Sequence, residues 1–394
     1  MCGQLAHGYC TSISSKPTHR IGGKWNRQDI AWHALPFSWQ TEMLDRSMIE
    51  GCLGLSASLD HRFGRKTTGA KMTDVPGHSR GIVSPLAGAG VKLLDIGVNP
   101  ASTPPDVPDV FLWRDPKGSS LITLYHHHSY GGVVVIPGSD LAIAVEMRGD
   151  NQGPHTEDQI KTIYADLRRQ FPNATITGSN LSDVANAVDA FRDGLPVVTQ
   201  EIGDTWIYGV PSDPIKVARY RELLRLRKQW IQQKHFSIGD TTDRRLLSSL
   251  ALASEHTWGT DTKSYIDYNH YEPKDLRLVL DQPGYKTMEK SWQEKRDDID
   301  AGIGTLPAGL QREATNRLSG LRAAEPSREG LRSHLPEDDL ETAHFVVGID
   351  PKTGAIRKLR NKKSGNEWAA PEHPLALFTY QTLSQADYST FLAN

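Results

Sequence analysis

Short apolar runs alternate with longer amphipathic stretches between Ile30 and about Ser264, and this alternation narrows the possible folds more than any other feature. Ile30 to Leu35, Ala70 to Thr73, Val91 to Gly97, Val110 to Trp113, Leu121 to Tyr125, Leu141 to Val145, Ala174 to Thr177 and Val197 to Glu201 read as strands. Thr41 to Phe63, Gly77 to Leu86, Thr156 to Gln170, Leu181 to Phe191 and Pro214 to Gln233 read as helices. Thr156 and Gln159 have the spacing of a capping box, Pro214 suits a first helical turn, and Ser182 is a candidate cap. Strands that alternate with helices of this length argue for a parallel sheet covered by helices. The number of units suits a barrel or a large open sheet, and the pattern alone leaves both open.

The texture changes on either side of this 30–264 α/β region. The first 29 residues are polar, Gly-rich and without periodicity, and they contain no signal peptide. Residues 265–335 are highly charged and read as a short helical bundle with a linker. From 340 to 394 the pattern is β: two apolar runs flank Pro351-Lys352-Thr353-Gly354, a hairpin turn. That reads as the start of a β-sandwich left incomplete, and the chain as truncated at both ends. Acidic residues number 47 against 45 basic, a net charge of −2, which makes no electrostatic case for nucleic acid or an anionic membrane surface. No apolar run is long enough to span a membrane. Three cysteines without a CxxC pair mildly favour a reducing, cytoplasmic compartment.

Several residues could carry chemistry. Asp74 directly follows an apolar strand, and Pro76-Gly77 then turns the chain. In barrels the C-terminal strand ends build the active site, so a carboxylate there is well placed. The commoner use of such an Asp is to cap the next helix. Asp204 follows a strand and a glycine and precedes Trp206 and Tyr208. Aromatic rings beside a carboxylate suit a sugar, whose apolar face stacks while its hydroxyls seek polar partners. Asp150 lies at a comparable place after a strand, where a turn is the simpler reading. His256 ends an apolar helical run, either as a favourable charge on the helix dipole or as a metal or substrate ligand. His126, His127 and His128 are consecutive, so on a strand they would face alternate sides and could not converge on one ion; they read as a loop.

Together these pieces resemble the family 38 glycoside hydrolases, the class II α-mannosidases, and in particular an uncharacterised branch known only as a domain of unknown function. Asp74 to Ser79 is similar to the family's Asp-x-x-Gly-His-Ser segment, Gly203-Asp204-Thr205-Trp206 to its Gly-Asp-aromatic segment, and His256 before Gly259-Thr260 to its late histidine. The resemblance implies a (β/α)7-type barrel followed by helical and β domains, acting on carbohydrate. It implies zinc held by an early His-x-Asp pair together with Asp74 and His256. Asp74 would be the nucleophile and Asp204 the acid/base, two carboxylates roughly 5 Å apart that retain configuration through a glycosyl-enzyme. Trp32, His33, Asp150, Trp206 and Tyr208 are the candidate substrate-binding residues. The sequence departs from the pattern: His7 and His19 sit in no His-x-Asp, Thr257 follows His256 where the family usually has an acid, the gap from there to Gly259-Thr260 is shorter, and Glu255 stands where the family often has a second His. A non-catalytic carbohydrate-binding barrel and a metal-dependent polysaccharide deacetylase are the alternatives.

Overall fold

A computed structural model describes residues 30–75, 77–100, 102–148, 152–202, 213–260, 277–321, 325, 327–335, 337–379 and 382–393. The chain divides into two compact units, 1–323 and 324–394.

The first unit is built on a five-stranded sheet of order β1-β2-β4-β3-β7. Its strands are β1 (Gly69–Asp74), β2 (Leu93–Val98), β3 (Val110–Arg114), β4 (Ser120–His126) and β7 (Val197–Val198). β1, β2 and β4 run parallel, and β2 is buried at every position, as suits a parallel strand covered on both faces. β3 lies antiparallel to β4 because a tight turn, not a helix, joins them. Asp115 makes that turn, accepting hydrogen bonds from Lys117 N (2.8 Å) and Ser119 N (2.9 Å). A separate antiparallel ribbon pairs β5 (Gly132–Val135) with β6 (Ala142–Val145). Among the described residues, then, the strands form an open sheet and a ribbon and not a closed ring of seven.

Side-chain alternation divides the core between the two faces of this sheet. Phe111, Trp113, Leu121 and Tyr125 face one cluster, which also takes in Trp39, Tyr220 and Trp230. Val110, Leu112, Ile122 and Leu124 face the other, with Val184, Ala185 and Val188 of α4. The helices of this unit are α1 (Arg46–Phe63), α2 (Val83–Gly88), α3 (Glu157–Gln170), α4 (Leu181–Asp189), α5 (Pro214–Gln232), α6 (Thr241–Ala253), α7 (Pro283–Gly304) and α8 (Ala308–Ser319). The capping box on α3 is formed as its spacing requires. α4 is capped by Asn180 and not by Ser182, whose hydroxyl instead accepts from Thr68 N at 3.0 Å and ties the helix to the start of β1. α7 and α8, expected as a separate bundle, place Ile299, Ile303, Leu310, Ala314 and Leu318, with Leu306 of the turn between them, in the same core as Trp39 and Trp230.

Two expected strands do not form. Ala174 to Thr177 is irregular, and Ile30 to Leu35 makes a single backbone bond to the sheet, from Ala34 N to Gly69 O at 3.0 Å. The chain just beyond it acts as a seam. Ser38 Oγ accepts from Thr73 N of β1, while Ser38 O accepts from His256 N.

The second unit holds a three-stranded antiparallel sheet of β8 (Asp339–Glu341), β9 (Phe345–Ile349) and β10 (Ile356–Asn361), followed by α9 (Gln385–Ala393). Asp350 shapes the β9–β10 turn by accepting from Lys352 N and Thr353 N, and Gly354 takes the left-handed conformation (φ 72°). No helix among the described residues is long and apolar enough to cross a membrane.

Candidate functional site

Asp74 is the last residue of β1 and has φ 81°, a left-handed conformation that non-glycine residues seldom adopt. It caps no helix; its carboxylate collects three side-chain donors instead. Asn99, just past the end of β2, donates Nδ2–H to Oδ1 at 2.8 Å, and the Tyr130 hydroxyl, just past β4, donates to the same oxygen at 2.8 Å. His256 Nε2 meets Oδ2 at 2.8 Å. The C-terminal ends of three neighbouring parallel strands thus converge on one carboxylate, the edge of an α/β sheet where ligands bind. Burial pushes the Asp74 carboxyl up, but the bonds from His256, Asn99 and Tyr130 outweigh it and hold it below the usual carboxylate range. The side chain keeps 19% exposure, so an ionised oxygen is within reach of a bound molecule.

His256 sits just beyond α6 and bridges two acids: Nε2 to Asp74, and Nδ1 to Glu255 Oε1 at 2.6 Å. Burial alone would lower its pKa, but the two carboxylates raise it to about 9. Glu255 is in turn held by Lys295 of α7 at 2.7 Å. Burial opposes its ionisation, yet the His256 bond and the Lys295 charge bring its pKa down to about 2. Two further contacts press this loop onto α7: Thr260 N donates to Ser291 Oγ at 3.0 Å, and Gly259 packs so closely on Trp292 that a Cβ there would lie 2.7 Å from the ring.

A second set of charges lies within the sheet behind Tyr130. Lys71 pairs with Asp95, its register partner on β2, and donates to Tyr130 O at 3.1 Å. His126 Nε2 meets the other oxygen of Asp95 at 2.8 Å, so His126 is the last residue of β4 and not part of a loop. Burial pushes Asp95 up, and His126 with Lys71 more than reverse that. His78 is fully buried with both ring nitrogens unpartnered; burial, then the His256 charge, lower its pKa to about 3.

Of the residues singled out in the sequence, Asp74 and His256 are brought together. Trp32 is not with them: its indole donates to Asp60 at 2.9 Å and packs on Phe63 and Arg65, toward the start of β1. His33 accepts from Leu35 N at 3.2 Å, and burial, then Lys71, lower its pKa to about 4. Asp150, Asp204, Trp206 and Tyr208 lie outside the described residues. Sequence reasoning missed Asn99, Tyr130 and Lys295. Asn99-Pro100 closing a strand and Tyr130 before Gly131-Gly132 were the available signals for the first two, and nothing local marks Lys295.

Zinc needs at least three protein ligands at a catalytic site. Asp74 and His256 offer one oxygen and one nitrogen, and among the described residues no third His, Cys, Asp or Glu joins them. Both ring nitrogens of His256 already face carboxylates. The described residues therefore do not fit zinc by themselves.

The comparisons with known proteins bear on the fold. An α-mannosidase from Enterococcus faecalis V583 superposes with a TM-score of 0.52 at 11% identity, over 89% of this chain and 54% of its own. A glycosyl hydrolase family 38 protein from Enterococcus faecalis gives a TM-score of 0.43 at 11% identity, over 77% and 33%. No curated protein sequence matches the chain. Residues 210–394 match the family described as Domain of unknown function (DUF5054). The chain thus spans about half the length of the solved mannosidase (54%) and shares its fold, and its residues 210–394 are similar to a family of unknown function, as the motif resemblance implied.

Proposed function

We propose that this chain is a glycoside hydrolase-like protein that binds a sugar over Asp74 and, with its full complement of residues, cleaves a glycosidic bond with retention. One observation carries the reading: an ionised, partly exposed carboxylate held in a strained backbone conformation by three converging donors at the strand ends. Strain of this kind costs on the order of 1–3 kcal/mol and gathers at functional sites. The same donors that lower the Asp74 pKa keep it unprotonated, the form needed to attack an anomeric carbon. They also fix which oxygen stays free to move: Oδ1 takes two bonds, whereas Oδ2 takes one, from His256. In this reading Asp204 is the acid/base, Trp206, Tyr208 and Asp150 contact the sugar, the sheet is an arc of a (β/α)7-type barrel, and β8–β10 begin a sandwich.

The test is release of an aryl α-mannoside leaving group by the chain and by Asp74→Ala. Turnover should be lost in the variant, with the far-UV and near-UV circular dichroism unchanged. Turnover equal to that of the parent would remove Asp74 from the chemistry. A second reading, sugar binding without cleavage, is favoured by the lack, among the described residues, of a third metal ligand beside Asp74 and His256. It predicts that mannose binds while the aryl mannoside is not hydrolysed.

A further inference from the structure

Lys216 stands out as a nearly buried amine that is bonded to no carboxylate among the described residues. It is only 3% exposed, and it occupies the third position of α5, where the helix dipole disfavours a cation. Asp213 and Asp298 attract the ammonium through space, and the two acids bonded nearby have other partners. Asp213 accepts from Lys216's own backbone N–H and from Arg296 Nε at 2.7 Å, and Glu255 is taken by Lys295 and His256. Burial, with Lys295 and Arg296 adding like charge close by, outweighs the pull of Asp213 and Asp298 and brings the Lys216 amine down to about 8. What the ammonium does have is a ring: Nζ lies 4.2 Å from the centroid of Trp258, two residues beyond His256. The Trp258 indole N–H is itself buried and without a partner. Among the described residues, a nearly buried cation bonded to no carboxylate and a buried donor without a partner lie side by side, two residues along the chain from His256, and one oxyanion would satisfy both.

We propose that Lys216 and Trp258 form an anion-binding subsite that selects sugars bearing an oxyanion substituent, a carboxylate or a phosphate. The proposal rests on the carbohydrate reading above and deepens it. The ammonium and the indole N–H would both donate to the substituent while His256 and Asp74 address the ring. The cation–π contact keeps the amine in place when no ligand is bound.

Isothermal titration of the full chain with mannose, mannuronate, mannose 6-phosphate and inorganic phosphate tests it, alongside Lys216→Met. At least one anionic sugar should bind more tightly than mannose by about tenfold or more, the worth of one charge-assisted hydrogen bond. Lys216→Met should erase that preference and keep mannose binding, with a melting temperature equal to or above that of the parent. Equal affinity for mannose and both anionic sugars, or a preference that survives in Lys216→Met, would overturn the subsite. So would inorganic phosphate binding as tightly as mannose 6-phosphate, which marks an adventitious ion only, or a clear fall in melting temperature, which marks a structural lysine. Failure of every sugar to bind, mannose included, would bring down the carbohydrate reading and the subsite with it. Failure of the preference alone, with mannose bound, would leave that reading standing.

Discussion

Asp74 shows how far one residue can be judged without its neighbours in space. An acid after a strand is usually a helix cap, and nothing local in Asp74-Val75-Pro76-Gly77 argues otherwise. Its bonding to Asn99, Tyr130 and His256 comes from residues 25, 56 and 182 positions away, so it could be seen only once the sheet was assembled. His78 is the other residue whose surroundings decide its behaviour. Buried without a partner, its ring stays neutral in the folded chain to a pKa of about 3, against 6.5 when unfolded. The unfolded state therefore binds the extra proton between those values. The stability from a neutral His78 is complete above pH 6.5 and is lost as pH falls toward 3, at about 1.4 kcal/mol per pH unit. From pH 7 to pH 5 this one ring should cost roughly 2 kcal/mol. Urea midpoints at the two pH values, taken for the parent and for His78→Leu, check it. The acid-induced drop should shrink by about that amount in the variant, and an undiminished drop would show that His78 gains a proton partner in solution.

At the scale of elements, the parts legible in the sequence were those fixed by local chemistry. β2 carries Leu93, Leu94, Ile96 and Val98 because both its faces are covered, and α3 begins where its capping box begins. Ile30 to Leu35 has the composition of a strand but not its place, since Ala34 alone bonds to β1. A short apolar run cannot by itself report whether an edge is available to it. Gly97 carries a longer-range meaning that its sequence context hides. A Cβ there would lie 2.6 Å from the Tyr130 backbone, so the absence of a side chain on β2 is what lets the Tyr130 loop close over the sheet and aim its hydroxyl at Asp74. Because backbone, not a flexible side chain, stands in the way, Gly97→Ala should destabilise the chain by about 1–3 kcal/mol, the usual cost of overpacking. It should also free the Tyr130 hydroxyl from Asp74. Denaturant titration reads the first effect, and the ultraviolet absorbance of Tyr130, isolated by difference against Tyr130→Phe, reads the second. A stability within a few tenths of the parent would mean that the loop can move aside at little cost.

For the whole molecule, the change in composition near residue 264 suggested a domain boundary, and the packing does not respect it. α7, α8 and the turn between them contribute Ile299, Ile303, Leu306, Leu310, Ala314 and Leu318 to the core that holds Trp39 and Trp230. α7 also supplies Lys295 and Ser291, which hold Glu255 and Thr260 on either side of His256. Charge on the exposed faces of these helices masks their apolar faces in any average over sequence, which is why the segment looked independent. A chain cut after 264 would therefore expose the α5 and α6 faces that α7 and α8 cover, leave Glu255 partly buried without its lysine, and loosen His256. It should behave as a molten state, with retained far-UV circular dichroism, lost near-UV signal and strong binding of a hydrophobic dye. A chain cut after 323 keeps every one of those contacts within the first compact unit and should unfold in a single cooperative transition. Comparing the two truncations by near-UV circular dichroism and urea unfolding decides the matter. A cooperative transition in the shorter chain would show that α7 and α8 are an accessory to the α/β unit and not a wall of its core.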